Sequence, residues 1–439
     1  MNVDLLRTLA SAAGAPLLDD ATRSYGVEDE FALSRRLRRD HPPELVAAAL
    51  TQARLRQRAT EKFDAADACR MFFTADGYEQ ATRAVVANHR AARVAGCLGG
   101  AEGPRARVLD LCTGIGGDLI ALARAGLDVT GVEADELTAE VARLNIDALG
   151  LGDRARVTNA DATAADRSGY PAVFCDPARR TARGRVFDPD AYQPPWPFVE
   201  DLLGETACVK VAPGIPHGRV PDDVEAEWVS DRGEVKEATL WSGDLARHDP
   251  REENRRRVRR RATLLRTDDD PPGGMESSAS AGARDCASAY GGAEVRTARA
   301  HTLTDVDDPG GADVHAPGRY VYEPDRAVIR AGLVTAVAEI IGGWLLDPSI
   351  AYLGGNVRVD TPFARGYEVV DTLAYDVKRL RRYVREHGIG ILTIKKRGVG
   401  ITPETLRKKL RPDGGAEATL IVTRVSGRAT VLVAHPLPS

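Results

Sequence analysis

The stretch LDLCTGIGGD, residues 109–118, sets three glycines and a threonine between two aspartates, directly after an apolar run. An apolar run that breaks at glycines and resumes as DLIALARAG (118–126) reads as strand, turn and helix. The alternation continues outward. RVLDL (107–111) and DVTGVE (128–133) read as strands, Leu137, Val141 and Leu144 mark a helix face, and ARVTNAD (155–161) and AVFCD (172–176) read as further strands. ACVKVAP (207–213) and a hairpin within residues 228–241 extend the series. Regular strand–helix alternation predicts a parallel doubly wound sheet, whose ligand lies beyond the carboxyl ends of the strands.

The turn decides which ligand. Gly114, Gly116 and Gly117 let the backbone come close to it, but the dinucleotide fingerprint GxGxxG needs a glycine where this chain has Leu119. Asp110 and Asp118 would repel a pyrophosphate lying against the turn. S-adenosylmethionine carries an ammonium and a sulfonium and no phosphate, so acids suit it. On the plainer alternative, the glycines form an ordinary turn and Asp118 favours the start of a helix through its dipole. Glu133 ends the next strand, where a carboxylate can accept from both ribose hydroxyls. Asp161 ends the one after, where an acid can accept from the adenine amine with Ala162 beside it as a backbone contact.

With LDLCTGIGGD (109–118), VTGVEAD (129–135), VTNAD (157–161) and VFCDPARR (173–180) in order, residues 105–245 resemble the class I S-adenosylmethionine-dependent methyltransferases. The resemblance implies an α/β, Rossmann-like methyltransferase sheet. It also implies S-adenosylmethionine as cofactor, with the methionine moiety near Asp110 and Gly114–Gly116, ribose on Glu133, and adenine near Ala134 and Asp161. The candidate cofactor-binding residues are Asp110, Thr113, Gly114, Ile115, Gly116, Gly117, Asp118, Glu133, Ala134, Asp161 and Ala162.

Asp176 and Pro177 are the candidate catalytic residues. Their position resembles the D/N-P-P-aromatic motif of nitrogen-directed methyltransferases, in which the acid accepts from the target amine and the ring stacks on the base. An amine conjugated to a purine is a poor nucleophile, so hydrogen-bond acceptors and alignment can supply much of the acceleration. The chain departs from that motif at Ala178 and Arg179. Arg179, Arg180, Arg183 and Arg185 read either as a positive edge for a phosphate-bearing substrate or as a solvated loop, and Phe187, Tyr192 and Trp196 either as a replacement ring or as local core. Cys175 invites covalent carbon methylation, but strand alternation points it away from Asp176, as a buried thiol.

Around this core, residues 1–100 read as an N-terminal helical region, with ELVAAALTQARLRQRATEKF (44–63) carrying Leu45, Ala48, Ala49 and Leu55 on one face. The aromatic stretch MFFTADGY (71–78) can close a cofactor site through Phe72, Phe73 or Tyr78, or simply pack a cap onto the sheet. The methyltransferase domain is assigned to 101–266. Residues 267–316, rich in Gly, Ser, Ala, Asp and Pro, read as a flexible linker. The remainder, 317–439, reads as a smaller α/β domain, with YEPDRAVIRAGLVTAVAEIIGGWLL (322–346) helical and strands ILTIKK and ATLIVTRV bracketing a basic helix, TPETLRKKL. Its YEPDRAVIRAG and IKKRG segments resemble the THUMP-like domain that accompanies such enzymes.

At 439 residues the chain is long enough for two or three cores, and its net charge of −4 gives no whole-protein case for nucleic acid. Local patches do: Lys378, Arg379, Arg381, Arg382 and Arg385, then Lys395, Lys396 and Arg397, then Arg407, Lys408, Lys409 and Arg411. RRRVRRR (255–261) adds less, beside the linker. The THUMP-like resemblance implies RNA as partner, and joined with the resemblance at Asp176–Pro177 it leads to the expectation of methyl transfer to an RNA base, at a purine nitrogen. Two alternatives stay open: a small-molecule methyltransferase that uses the last domain as a lid, and a non-catalytic RNA-binding protein that retains the cofactor fold. The six cysteines form no CxxC pair and read as reduced, and the eight histidines form no ligand-spaced set, so no metal is expected. No signal-like start and no apolar run of membrane-spanning length are present, which points to a soluble, cytoplasmic protein.

Overall fold

The computed structural model describes residues 1–99, 105–178, 180–181, 184–185, 192–247, 257–267 and 298–438. These fall into two units. The first holds Met1–Ala226 and Glu237–Arg247, and the second holds Glu227–Lys236, the described part of His248–Glu276, and the chain from Ala300 onward.

The first unit begins with helices α1 (Val3–Ala10), α2 (Ala15–Ser24), α3 (Glu30–Leu37), α4 (Pro43–Ala59), α5 (Ala65–Ala68), α6 (Ala75–Gln80) and α7 (Ala84–Cys97). Pro43 opens α4 at a position where its missing N–H costs nothing, and alanine and leucine carry the helix on. Val46, Ala49 and Ala53 are buried in the helical core together with Leu6, Leu9 and Leu17. Polar side chains from α4 and α9 (Glu136–Leu149) hold the aromatic stretch 71–73 in place. Gln52 donates to Phe73 O at 2.7 Å and accepts from Phe73 N at 3.0 Å. Asn145 accepts from Phe72 N at 2.6 Å and donates to Phe72 O at 3.1 Å and to Ile115 O at 2.9 Å. Two fully buried amides thereby tie this segment to the glycine turn and set α6 directly against it.

The sheet follows, with β1 (Arg107–Leu111), α8 (Gly117–Arg124), β2 (Asp128–Glu133), α9, β3 (Ala155–Asn159) and β4 (Ala172–Cys175). After the short hairpin β5 (Arg180–Thr181) and β6 (Gly184–Arg185) come α10 (Trp196–Leu203), β7 (Ala207–Val211), β8 (Glu225–Asp231), which belongs to the second unit from Glu227, and β9 (Glu234–Trp241), which belongs to the first from Glu237. Within the first unit the strand order runs β9-β7-β4-β1-β2-β3. β1, β2, β3, β4 and β7 pair in parallel, and β9 runs antiparallel to β7. β1 thus lies between β2 and β4, which places the topological switch point between the ends of β1 and β4. The turn is possible because Gly116 takes φ 89° ahead of α8, a conformation that carries a steric penalty for any residue with a Cβ.

The second unit holds β10 (Arg260–Arg266), β11 (Arg299–Thr304), β12 (Tyr320–Pro324), α11 (Arg326–Ala331), α12 (Val334–Ile341), β13 (Trp344–Asp347), β14 (Ile350–Gly355), β15 (Ala364–Ala374), α13 (Val377–Glu386), β16 (Ile389–Lys396), α14 (Pro403–Leu410), β17 (Ala416–Val425) and β18 (Arg428–Pro436). Its seven-stranded sheet has the order β13-β14-β12-β15-β18-β17-β16. Two expectations change here. The stretch read as linker contains β11 at 299–304, while residues 268–297 lie outside the described residues. The segment 322–346, read as helical, is a strand, two short helices and another strand. Gly332 and Gly342, at φ 69° and 58°, end the helices, and periodicity does not separate a short buried strand from a buried helix. Cys97, Cys112, Cys175 and Cys208 carry free thiols. Cys69 is disulfide-bonded, contrary to the reduced reading, because the spacing of cysteines in a sequence does not by itself reveal a pair. No helix among the described residues is long and apolar enough to cross a membrane.

Candidate functional site

A cavity of about 900 Å³ opens at the switch point. The glycine turn, the end of β2, Asp161–Thr163 and the Asp176–Ala178 segment line it. Thr113, Gly114, Ile115, Gly117, Asp118, Glu133, Ala134, Asp161, Ala162, Asp176 and Pro177 all contribute to its wall. Asp110 is fully buried at the end of β1, and Gly116 caps α8; neither is part of the lining. The sequence signal therefore brought one constellation together, although its members do different work.

Glu133 supports the turn as well as facing the cavity. Its Oε2 accepts from Gly114 N at 2.9 Å and its Oε1 from Asp135 N at 3.0 Å, so each oxygen keeps lone-pair capacity. Asp161 Oδ1 accepts from Thr163 N and Oγ1, both at 2.8 Å, and these bonds hold its carboxyl below the usual range. Thr113 donates to Asp110 O at 2.9 Å and closes the turn. Asp118 is committed elsewhere: Arg90 donates to its Oδ1, and Thr82 donates to Oδ2 at 2.9 Å. Its carboxylate anchors α8 to α7.

Asp176 follows β4, with its N–H donating to Leu111 O at 3.2 Å. A buried lysine that the sequence reading passed over, Lys210 on β7, donates to Asp176 Oδ2 at 2.6 Å and to Thr82 Oγ1 at 2.7 Å. Arg90 in turn reaches Glu237, whose Oε1 also accepts from Thr239 at 3.1 Å. Beyond Pro177, Ala178 exchanges backbone hydrogen bonds with Gln193 at 2.7 and 3.1 Å, which fixes the exit of the segment.

Residues from α6 and on either side of it complete the wall: Thr74, Asp76, Gly77, Glu79, Gln80 and Thr82. Gly77 is required there, because a Cβ would sit 2.3 Å from Ile115 Cγ2. The aromatics Phe72, Phe73 and Tyr78 pack beneath as core rather than facing a ligand. Tyr192 and Trp196, offered as a replacement ring, are each only 2 % exposed and meet edge to face at 6.2 Å, so they too are core. Arg179, Arg183 and Phe187 lie outside the described residues, and the described backbone at Arg180 and Arg185 forms a hairpin. Cys175 is fully buried, its thiol pushed up by Cys112 alongside and by burial. No group of three histidine, cysteine or acidic residues among the described residues is placed to hold a metal.

The cationic cofactor fits these residues. Both oxygens of the buried Asp110 carboxyl lack a hydrogen-bond partner, and burial together with the charge of Asp118 pushes its pKa well up. Even without Asp110, the acids Asp118, Glu133, Asp176 and Glu237 outnumber the cations Arg90 and Lys210 hydrogen-bonded among them. A ligand bringing positive charge relieves that excess, whereas a pyrophosphate adds to it. Nothing lies within 4 Å of the place a Cβ would take on Gly114, so the turn leaves open space on that side.

Comparison with known proteins agrees with this geometry. Residues 364–436 match the family model described as THUMP domain-like, and residues 2–59 match a domain of unknown function, DUF8688. The chain is 33% identical over 391 residues to a protein of Mycobacterium tuberculosis described as an uncharacterised S-adenosylmethionine-dependent methyltransferase. That match covers 88% of this chain and 94% of the relative, and a second strain gives the same values. Among solved structures, one described as a methyltransferase from Porphyromonas gingivalis W83 superposes with a TM-score of 0.67 at 21% identity, covering 96% of this chain and 98% of the other, and so shares the fold. With acids ringing the glycine turn at the switch point and a relative matched over nearly its whole length, the chain belongs to the S-adenosylmethionine-dependent methyltransferases and carries a THUMP-like segment at its C-terminal end.

Proposed function

We propose that this enzyme methylates a base in RNA, at a purine nitrogen, with Asp176 as the hydrogen-bond acceptor for the target amine. The observation that carries RNA as substrate is the surface of the THUMP-like segment. Lys378, Arg379, Arg381, Arg382 and Arg385 on α13 are all exposed, as are Arg407, Lys408, Lys409 and Arg411 on and just after the neighbouring α14. So dense a cationic face in a chain of net charge −4 suits a phosphate backbone. Not every basic run contributes. Lys395 is bound to Glu323 at 2.7 Å with Arg397 3.7 Å from the same carboxylate, and Arg260 donates to Ala331 O at 3.0 Å. Those cations serve the fold.

S-adenosylmethionine supplies a methyl group attached to a positively charged sulfonium. The chain's residues do the rest: Glu133 accepts from the ribose hydroxyls, Asp161 and the backbone at Ala162 meet the adenine, and Asp110 supplies negative charge toward the methionine moiety. Asp176 Oδ1 accepts from the amine, which raises electron density on the nitrogen and fixes its direction, while Pro177 keeps the segment rigid.

The test is incubation of the protein with methyl-labelled S-adenosylmethionine and total RNA from cells lacking it, followed by nucleoside analysis. Label in one methylated purine nucleoside is the expected result. Label confined to small metabolites, with none in RNA, overturns the proposal.

A further inference from the structure

Lys210 is an anomaly in a strand whose other residues, Ala207, Cys208, Val209 and Val211, are fully buried and apolar. Its side chain is 5 % exposed, and a buried ammonium is costly unless it is paired and hydrogen-bonded. Both conditions are met by groups that matter to the cavity. The ammonium donates to Asp176 Oδ2 at 2.6 Å and to Thr82 Oγ1 at 2.7 Å. Thr82 sends its own proton to Asp118 Oδ2 at 2.9 Å, and Arg90 holds the other oxygen of Asp118. One hydrogen-bond chain therefore links the acid at the start of α8, behind the glycine turn, to the acid at the end of β4. These two acids flank the cofactor side and the acceptor side of the same cavity.

The chain also makes the two oxygens of Asp176 unequal. Oδ2 is committed to Lys210, while Oδ1 makes no hydrogen bond among the described residues, and a quarter of the side chain is exposed. We propose that Lys210 is a positioning residue for methyl transfer: by holding Oδ2 it fixes the Asp176 carboxylate in one orientation and leaves Oδ1 as the oxygen that receives the target amine. Thr82 is the second anchor, keeping the ammonium from swinging away. The inference rests on the role given to Asp176 under Proposed function, and it adds no chemical step.

The experiment uses the full chain as Lys210→Met, Lys210→Arg and Thr82→Val. In Lys210→Met, S-adenosylhomocysteine affinity measured by calorimetry stays within about threefold and KM for total RNA barely moves. Its kcat falls by roughly 100-fold, the cost of misplacing a reacting group by about 1 Å. Lys210→Arg recovers part of that loss, because a cation still reaches Oδ2. Thr82→Val, which keeps the Lys210–Asp176 pair and nearly preserves shape, loses about tenfold and provides the reading should Lys210→Met fail to fold. Retained kcat overturns the proposal, and so does a folded Lys210→Met in which cofactor affinity falls as far as kcat, which marks a lysine that merely supports the cavity as a whole. A crystal structure of Lys210→Met or Thr82→Val with S-adenosylhomocysteine decides the matter even if wild-type protein labels no RNA. Asp176 displaced from its wild-type orientation supports the inference, and Asp176 unmoved sinks it.

Discussion

Replacing Glu133 with glutamine separates cofactor recognition from the fold. The carboxylate already accepts Gly114 N at 2.9 Å on Oε2 and Asp135 N at 3.0 Å on Oε1, leaving lone pairs on both oxygens for a ribose. Glutamine removes the charge and turns one oxygen into an N–H donor that must face a backbone N–H. A hydrogen bond to a charged group contributes about 1.5–3 kcal/mol, and each 1.4 kcal/mol is about tenfold in affinity. Loss of one ribose bond should raise Kd by roughly 10- to 150-fold. The turn loses one charge-assisted bond as well, about 1.5–3 kcal/mol, which lowers the melting temperature by several degrees without unfolding the protein. Calorimetric titration of S-adenosylhomocysteine into both proteins, with a melting curve of each, makes the measurement. A folded Glu133→Gln variant that binds as tightly as wild type would refute the assignment of ribose to this residue.

Asp110 ties binding to pH. Burial and Asp118 raise its folded pKa above the unfolded value, so the ligand-free fold holds the proton over the window between the two and loses stability as pH rises through it. A bound cation favours the charged form, so binding must release a proton and tighten as pH rises toward the raised value. Titrations in two buffers of different ionisation enthalpy should show that release in wild type and not in Asp110→Asn; proton uptake would contradict it. Arg93 carries a stability prediction. Its guanidinium meets Glu225 at 2.8 and 2.7 Å and lies 4.0 Å from the Trp241 ring, with both charged side chains almost wholly buried. Arg93→Met should cost about 3–5 kcal/mol by denaturant unfolding, with much of it regained in Arg93→Met/Glu225→Gln; a cost near zero would show the pair to be dispensable. For the basic face, changing Arg381, Arg382 and Arg385 to alanine should weaken binding to unrelated RNAs alike and flatten the slope of log K against log salt by about 2. An unchanged slope would place the RNA elsewhere.

Much of the cavity was legible because its signals are local. Apolar runs leading to Asp110, Glu133, Asp161 and Asp176 give strand ends, and Gly114, Gly116 and Gly117 give the turn, so one pass along the chain assembles most of the wall. Lys210 was not legible: in ACVKVAP it reads as one polar residue in a strand, and its partners Asp176 and Thr82 lie 34 and 128 residues away. The role of α6 escaped for the same reason, since it depends on Gln52 and Asn145 gripping residues 72 and 73 across long stretches of sequence. The commitment of Asp118 to Arg90 and Thr82 is equally hidden, because those partners lie 28 and 36 residues away. In the second unit, the pairing of Glu323 with Lys395 over 72 residues takes Lys395 out of an apparent phosphate-binding run and into a partly buried ion pair.

A crystal structure of the wild-type chain with S-adenosylhomocysteine tests the central claim most directly. The account requires the nucleoside in the switch-point cavity, with ribose hydroxyls on Glu133, adenine beside Asp161 and the sulfur between the glycine turn and Asp176. Ligand density elsewhere, or in that cavity with Glu133 and Asp161 untouched, would contradict it.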